Sequence, residues 1–132
     1  MNINKTFIQI AAIDALAAIV TGTLGAHIFK AKISASAYEV LQTGLRYQFY
    51  HLFAIALVGV IYYNARKSLI KWAGILFIAG TVLFCGSLYV YTYAVSQVNL
   101  GLAQIESLAP VGGFCLLAAW LLVIFSLVKN KS

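Results

Sequence analysis

Acidic side chains are nearly absent: Asp14, Glu39 and Glu106 are the only three in 132 residues. They fall in different segments, so a pair of carboxylates sharing general acid and base roles has no local basis. Cysteine is almost as scarce. Cys85 and Cys115 each lie inside an apolar run, and neither belongs to a Cys-x-x-Cys or Cys-His spacing. Both therefore read as small packing hydrophobes, and no zinc or redox site is expected. Charged residues make up 9 % of the chain, against about 25 % in an ordinary soluble domain. No G-x-S-x-G, H-E-x-x-H, phosphate loop or dinucleotide fingerprint occurs. The chain is not expected to be an enzyme, nor to hold a metal or a cofactor.

What fills the sequence is apolar, 63 % of all residues. Its length fits one domain, 1–132. Four runs, at about 6–28, 45–63, 70–95 and 107–128, approach or exceed the roughly 20 residues needed to cross a bilayer as a helix. The fold expected is all-α: an integral membrane four-helix bundle with a short amphipathic segment between helices 1 and 2. The first run is too long for the apolar stretch of a signal peptide and is interrupted by Asp14, so it reads as a retained helix. The net charge of +6 is spread beside the apolar runs, which marks membrane flanks rather than a nucleic-acid groove.

Two seams of small residues stand out. Ala11, Ala15, Ala18, Gly22 and Gly25 share one face of the first helix. Ala73, Gly80, Ser87 and Ala94 recur every seven residues in the third. Small residues let helix backbones approach closely in lipid, so helices 1 and 3 are expected to pair. Asp14 borders the first seam and is expected to face protein, because a buried carboxyl needs partners. Between the first two runs, Ser36 and Glu39 have capping-box spacing, with Ser36 as N-cap. A straight helix from there to Tyr63 would be about 40 Å long, beyond the roughly 30 Å hydrocarbon core. A bend near Thr43-Gly44 is therefore expected. Ser107 is the expected N-cap of the last helix, with Pro110 in its first turn.

Four spans put Lys5, Arg66, Lys67, Lys71, Lys129 and Lys131 on one side, and Lys30, Lys32 and Arg46 on the other. The excess of positive charge predicts N-in and C-in. The candidate polar cluster is His27, Arg46, Tyr47, Gln48, Tyr50 and His51, placed at the outward-facing end of helix 2. His51 is its deepest member and must find partners. His27 and His51 differ in depth by about 9 Å, which argues against a shared haem iron. Two readings stay open. One is a non-catalytic helix-packing, partner or assembly module. The other is a binding or transport module for a small ligand, ion or proton at the polar cluster. Expected partners are membrane lipids, with a homo-oligomer or a membrane-protein partner as further alternatives, and no nucleic acid.

Four segments carry a resemblance. Gly22-Thr23-Leu24-Gly25-Ala26-His27-Ile28-Phe29-Lys30 looks like a G-A-F-G-A-H-G-L-K signature. Thr43-Gly44-Leu45-Arg46-Tyr47-Gln48-Phe49-Tyr50-His51 looks like T-G-x-x-Y-Q-x-Y-H. Cys85-Gly86-Ser87-Leu88-Tyr89 is similar to S-G-S-L-Y, and Ala109-Pro110-Val111-Gly112-Gly113 to T-P-x-G-G. Departures fall at Ile28, Cys85, Ala109 and Ala119. In order and extent the chain resembles the YgdD/YwdK-like family of small bacterial membrane proteins, domain-of-unknown-function family 423. The resemblance implies a four-helix protein of the bacterial plasma (inner) membrane with no assigned activity.

Overall fold

In hydrocarbon every backbone N–H and C=O must be satisfied within its own segment, and this chain meets that demand with helices. The computed structural model describes residues 2–128. Helix α1 spans Ile3–Leu24 and runs on through a π-helical turn, Gly25–Phe29. Helix α2 spans Ala35–Ile61, α3 Lys67–Ser96, the single turn α4 Leu100–Ala103, and α5 Ala109–Leu127 after a 3-10 turn, Gln104–Leu108. No strand occurs among the described residues. Four of these stretches are long and apolar enough to cross a membrane.

Helix α2 runs unbroken through Thr43-Gly44, with no interruption at the bend expected there. Gly44 serves close approach instead: a Cβ there would lie 2.7 Å from Cε1 of Tyr89 on α3. At 27 residues α2 is about 40 Å long, more than the roughly 30 Å hydrocarbon core. Its cap is Ser34 rather than Ser36; the Ser34 hydroxyl accepts from Ala37 N–H at 3.2 Å. Ser107 likewise is not a cap. Asn99 begins the α4 turn by accepting from Leu102 N–H at 3.0 Å, and Pro110 lies in the first turn of α5.

The two small-residue seams do not meet. Helix α1 packs against α2, α2 against α3, and α3 against α5. Gly25 admits Leu41 of α2, and Gly80 of α3 admits Leu116 and the Gly112 carbonyl of α5. Consecutive helices win because short connections hold them antiparallel at little loop-closure cost. The sequence match between seams cannot outweigh that proximity.

The apolar core lies toward the end that carries the N-terminus, where Phe7, Val58, Ile70, Phe77 and Val123 are buried together. Tyr63 donates to Asn2 Oδ1 there at 3.1 Å, and Arg66 donates its backbone N–H to Ser126 and its guanidinium to Val128. Lys129 and Lys131 lie outside the described residues. Helices α3 and α5 approach closely, since a Cβ on Gly112 would collide with the main chain of Phe84. Gly112→Ala is therefore expected to destabilise by about 1–3 kcal/mol. Gly86→Ala, with open space around its Cβ, is expected to be neutral or to gain up to about 1 kcal/mol. Thermal unfolding of the two variants in detergent checks the contrast; equal shifts would deny that the α3–α5 contact is tight.

Candidate functional site

The buried stripe of α2 includes Leu41, Gly44, Gln48, His51 and Ile55, a spacing of three and four that faces the neighbouring helices. Gln48 lies thirteen residues from either end of α2 (Ala35 and Ile61) and is buried. Asp14 is eleven residues from Ile3 and ten from Leu24 in α1. Both therefore sit at the middle of their helices, and they meet. Gln48 Nε2 donates to Asp14 Oδ1 at 2.6 Å. On the other side of the amide, Tyr89 of α3 donates its hydroxyl to Gln48 Oε1 at 2.6 Å. The missing side chain of Gly44 makes room for that tyrosine ring. Three helices are thus joined by two short hydrogen bonds through one side chain. The arrangement is directional: the phenol donates, the amide relays and the carboxyl accepts.

One turn on, His51 is also buried. Its Nδ1 is 2.7 Å from the Tyr47 carbonyl, so Nδ1 carries the hydrogen and Nε2 is left as an acceptor. Trp120 of α5 supplies the donor, at a long 3.4 Å. The imidazole is otherwise enclosed by aromatic rings, Tyr47 and Phe77 with centroids at 5.9 Å and Trp120 at 6.4 Å.

Beside His51 opens a lateral groove of about 480 Å³ between α2, α3 and α5, lined by Tyr47, Phe84, Phe114, Leu117 and Trp120 among others. At Phe84 and Pro110 it meets a second, more polar cleft of about 730 Å³, whose walls include Gln104, Glu106 and Ser107. The polar cleft lies at the α4 end of the bundle. The apolar groove reaches toward mid-depth.

Of the candidate cluster, the structure joins His51 to Tyr47 and buries Gln48 on the same helix against Asp14 and Tyr89, with Tyr50 beside Tyr47 at 6.2 Å but itself largely exposed. It does not bring His27 or Arg46 into the site. His27 is exposed on the π-turn. Arg46 turns outward to Thr43 Oγ1 at 3.1 Å and Glu39 at 4.0 Å. The cluster accordingly lies near the middle of α2 rather than at its end, because α2 begins at Ala35, well before the apolar run. Among the packing residues, Ala11, Ala18, Gly25, Ala73, Gly80 and Ser87 are buried, while Ala15 and Gly22 are half-buried. Sequence reasoning missed Tyr89, Thr81, Phe84 and Trp120. For Tyr89 a signal existed, since it ends the segment Cys85-Gly86-Ser87-Leu88-Tyr89 and is the last polar group of that segment. The other three are embedded in apolar runs with nothing in their spacing to mark them.

Removing Gln48 strands two buried partners at once. Gln48→Leu is expected to destabilise by about 1–3 kcal/mol for each group left unpaired, and Tyr89→Phe by about 1 kcal/mol. The double variant is expected to lose less than the sum of the two singles, since they share one bond. Thermal unfolding of the four chains in detergent reads this coupling. Strict additivity would mean that the phenol and amide do not interact.

The match to known proteins covers most of the chain. The family model described as "Protein of unknown function (DUF423)" matches residues 21–113. The UPF0382 membrane protein YwdK of Bacillus subtilis (strain 168) is 34 % identical over 128 residues, 95 % of this chain and 98 % of YwdK. The UPF0382 inner membrane protein YgdD of Escherichia coli (strain K12) is 33 % identical over 121 residues, 92 % of this chain and 88 % of YgdD. A UPF0382 membrane protein of Staphylococcus aureus (strain bovine RF122 / ET3-1) is 33 % identical over 126 residues, 95 % of this chain and 97 % of the relative. No solved structure gives a significant match. With four membrane-length helices and these relatives, the chain belongs to the DUF423 family of integral membrane proteins, which has no assigned biochemical activity.

Proposed function

We propose that this chain is a non-catalytic, multi-pass protein of the bacterial plasma membrane that binds one amphipathic lipid from the side. The observation that carries the reading is the graded polarity of the joined clefts. Gln104, Glu106 and Ser107 line the part at the membrane boundary, and Phe114, Leu117 and Trp120 line the part at depth. A lipid has the same order, with its headgroup at the surface and its chain below. Glu106 supplies a negative charge and, among the described residues, no cation lines either cleft. That favours a headgroup carrying ammonium or hydroxyl donors over an anionic one. Large apolar cavities with few convergent polar groups are where small molecules bind.

A catalytic role for His51 has little support, since Nδ1 is held by Tyr47 and Nε2 faces Trp120. Within the chain, Leu41 fills the α1 seam at Gly25 and Leu116 the α3 seam at Gly80, while Ala15 and Gly22 stay half-buried and available to a partner in an assembly role. N-in and C-in is the orientation in this reading. It is supported by Lys5, Arg66, Lys67 and Lys71 gathering at the end where Tyr63 reaches Asn2 and Arg66 reaches Val128.

Gly113 lines the groove, and a Cβ there meets nothing nearer than 3.9 Å, so Gly113→Leu fills the space without a backbone collision. Native mass spectrometry of the chain released from vesicles of mixed phosphatidylethanolamine and phosphatidylglycerol is expected to show one retained lipid, with phosphatidylethanolamine preferred. Gly113→Leu is expected to lower retention severalfold, and Glu106→Lys to reverse the headgroup preference. Retention by Gly113→Leu equal to that of the parent chain would sink the proposal. Orientation is read separately: a fluorescent reporter that matures only in the cytoplasm, fused at the C-terminus, is expected to light up, and a dark fusion would reverse the topology.

A further inference from the structure

A separate cavity, about 190 Å³, lies between α1, α2 and α3 and shares no residue with the joined clefts. Its lining is apolar, with Ile10, Ile13, Ile55 and Val82, except for Asp14 and Thr81. Thr81 is 6 % exposed. Its hydroxyl oxygen and Asp14 Oδ2 are both buried without a hydrogen-bond partner among the described residues. Thr81 is fourteen residues from Lys67 and fifteen from Ser96, so it too sits at the middle of its helix. Two orphan oxygens therefore belong to residues that line one cavity, each near the middle of its helix.

Buried polar atoms almost always have partners, and a carboxyl in hydrocarbon needs its charge offset. Gln48 serves Asp14 Oδ1 only with a neutral amide, and Arg46, the nearest basic residue of α2 in sequence, turns away to Glu39 and Thr43. The titratable groups that α3 sets against Asp14 are the Cys85 thiol and the Tyr89 phenol, neither of them cationic. From α2 the facing group is Gln48. Among the described residues, none of these groups sets a positive charge against the carboxyl.

We propose that Asp14 Oδ2 and Thr81 Oγ1 form an intramembrane site for a monovalent cation, a proton or a sodium ion, completed by water in the cavity. The chemistry is the same for both: a hard oxygen pair, one anionic and one neutral, in apolar surroundings. The volume admits a small ion with water, since one water needs only about 30 Å³. The hydrogen bond from Gln48 fixes the carboxyl so that Oδ2 is the free oxygen. Tyr89 in turn fixes the amide. The bridge between the helices thus holds the site in position, and the ion completes the carboxyl it presents.

The test uses dicyclohexylcarbodiimide, an apolar reagent that adds to protonated carboxyls. The full chain in lipid nanodiscs is treated across a range of pH in choline chloride or sodium chloride at equal ionic strength, and the adduct at Asp14 is quantified by mass spectrometry. An adduct that falls as pH rises, and that sodium suppresses at fixed pH, identifies a site shared by sodium and protons. An adduct that falls with pH and ignores sodium identifies a proton site. An adduct yield flat in both, or no adduct at Asp14 under any condition, overturns the proposal. Thr81→Val keeps shape and packing while removing one oxygen. It is expected to shift the titration midpoint about tenfold in cation concentration, the effect of one hydrogen bond. A Thr81→Val curve that superimposes on the parent's overturns the pairing of the two oxygens.

Discussion

The carboxamide of Gln48 is the group on which the arrangement of α1, α2 and α3 depends. An amide offers a donor and an acceptor at opposite corners, and here each is used toward a different helix. A glutamate would set oxygen against the oxygens of Asp14, and a leucine would leave both neighbours bare. At mid-depth neither error is forgiven by water. Other features follow from this bridge. Gly44 must lack a side chain for Tyr89 to reach the amide, and a kink there would carry Gln48 out of register with Tyr89. Asp14 can lie far from any helix end because its partner lies equally far along α2.

Much of this was legible in the chain. Run length and the scarcity of charge pointed to four crossing helices, and the polar stretch from Arg46 to His51 pointed at the part of α2 where the hydrogen bonds converge. What could not be read was which helices touch. Small-residue seams record where a backbone can come close, not whose backbone it is. The seams of α1 and α3 look alike, yet each is filled by large side chains, Leu41 and Leu116, from a different neighbour. The Asp14–Gln48 contact was hidden by the start of α2, because Ala35 to Gly44 is too polar to be counted as part of a spanning run.

Packing is uneven along the bundle axis. Toward the N-terminal end Phe7, Val58, Ile70 and Phe77 fill the interior. From Asp14 and Gln48 onward, polar bridges and open clefts take over. The division has a simple origin. Apolar packing in lipid is held by shape alone, whereas hydrogen bonds across helices hold direction and distance even where space is left unfilled. The clefts open beside the polar groups, one at His51 and another at Asp14, the partner of Gln48.

The adjacent glycines of α5 show how local that division is. Glycine inside a helix is less favourable than alanine by up to about 1 kcal/mol, so each needs a reason. At Gly112 the reason is contact, since α3 approaches so closely that a methyl group would strike the Phe84 backbone. At Gly113 contact is no reason at all: the nearest atoms belong to the Phe84 ring, 3.9 Å from where a Cβ would lie. The same residue type thus draws two helices together at one position and, one residue later, leaves the floor of the groove beside His51 open. A larger side chain there would be tolerated by the helices and would close the groove. The open space at Gly113 is therefore a property of the cleft, not of the packing that surrounds it.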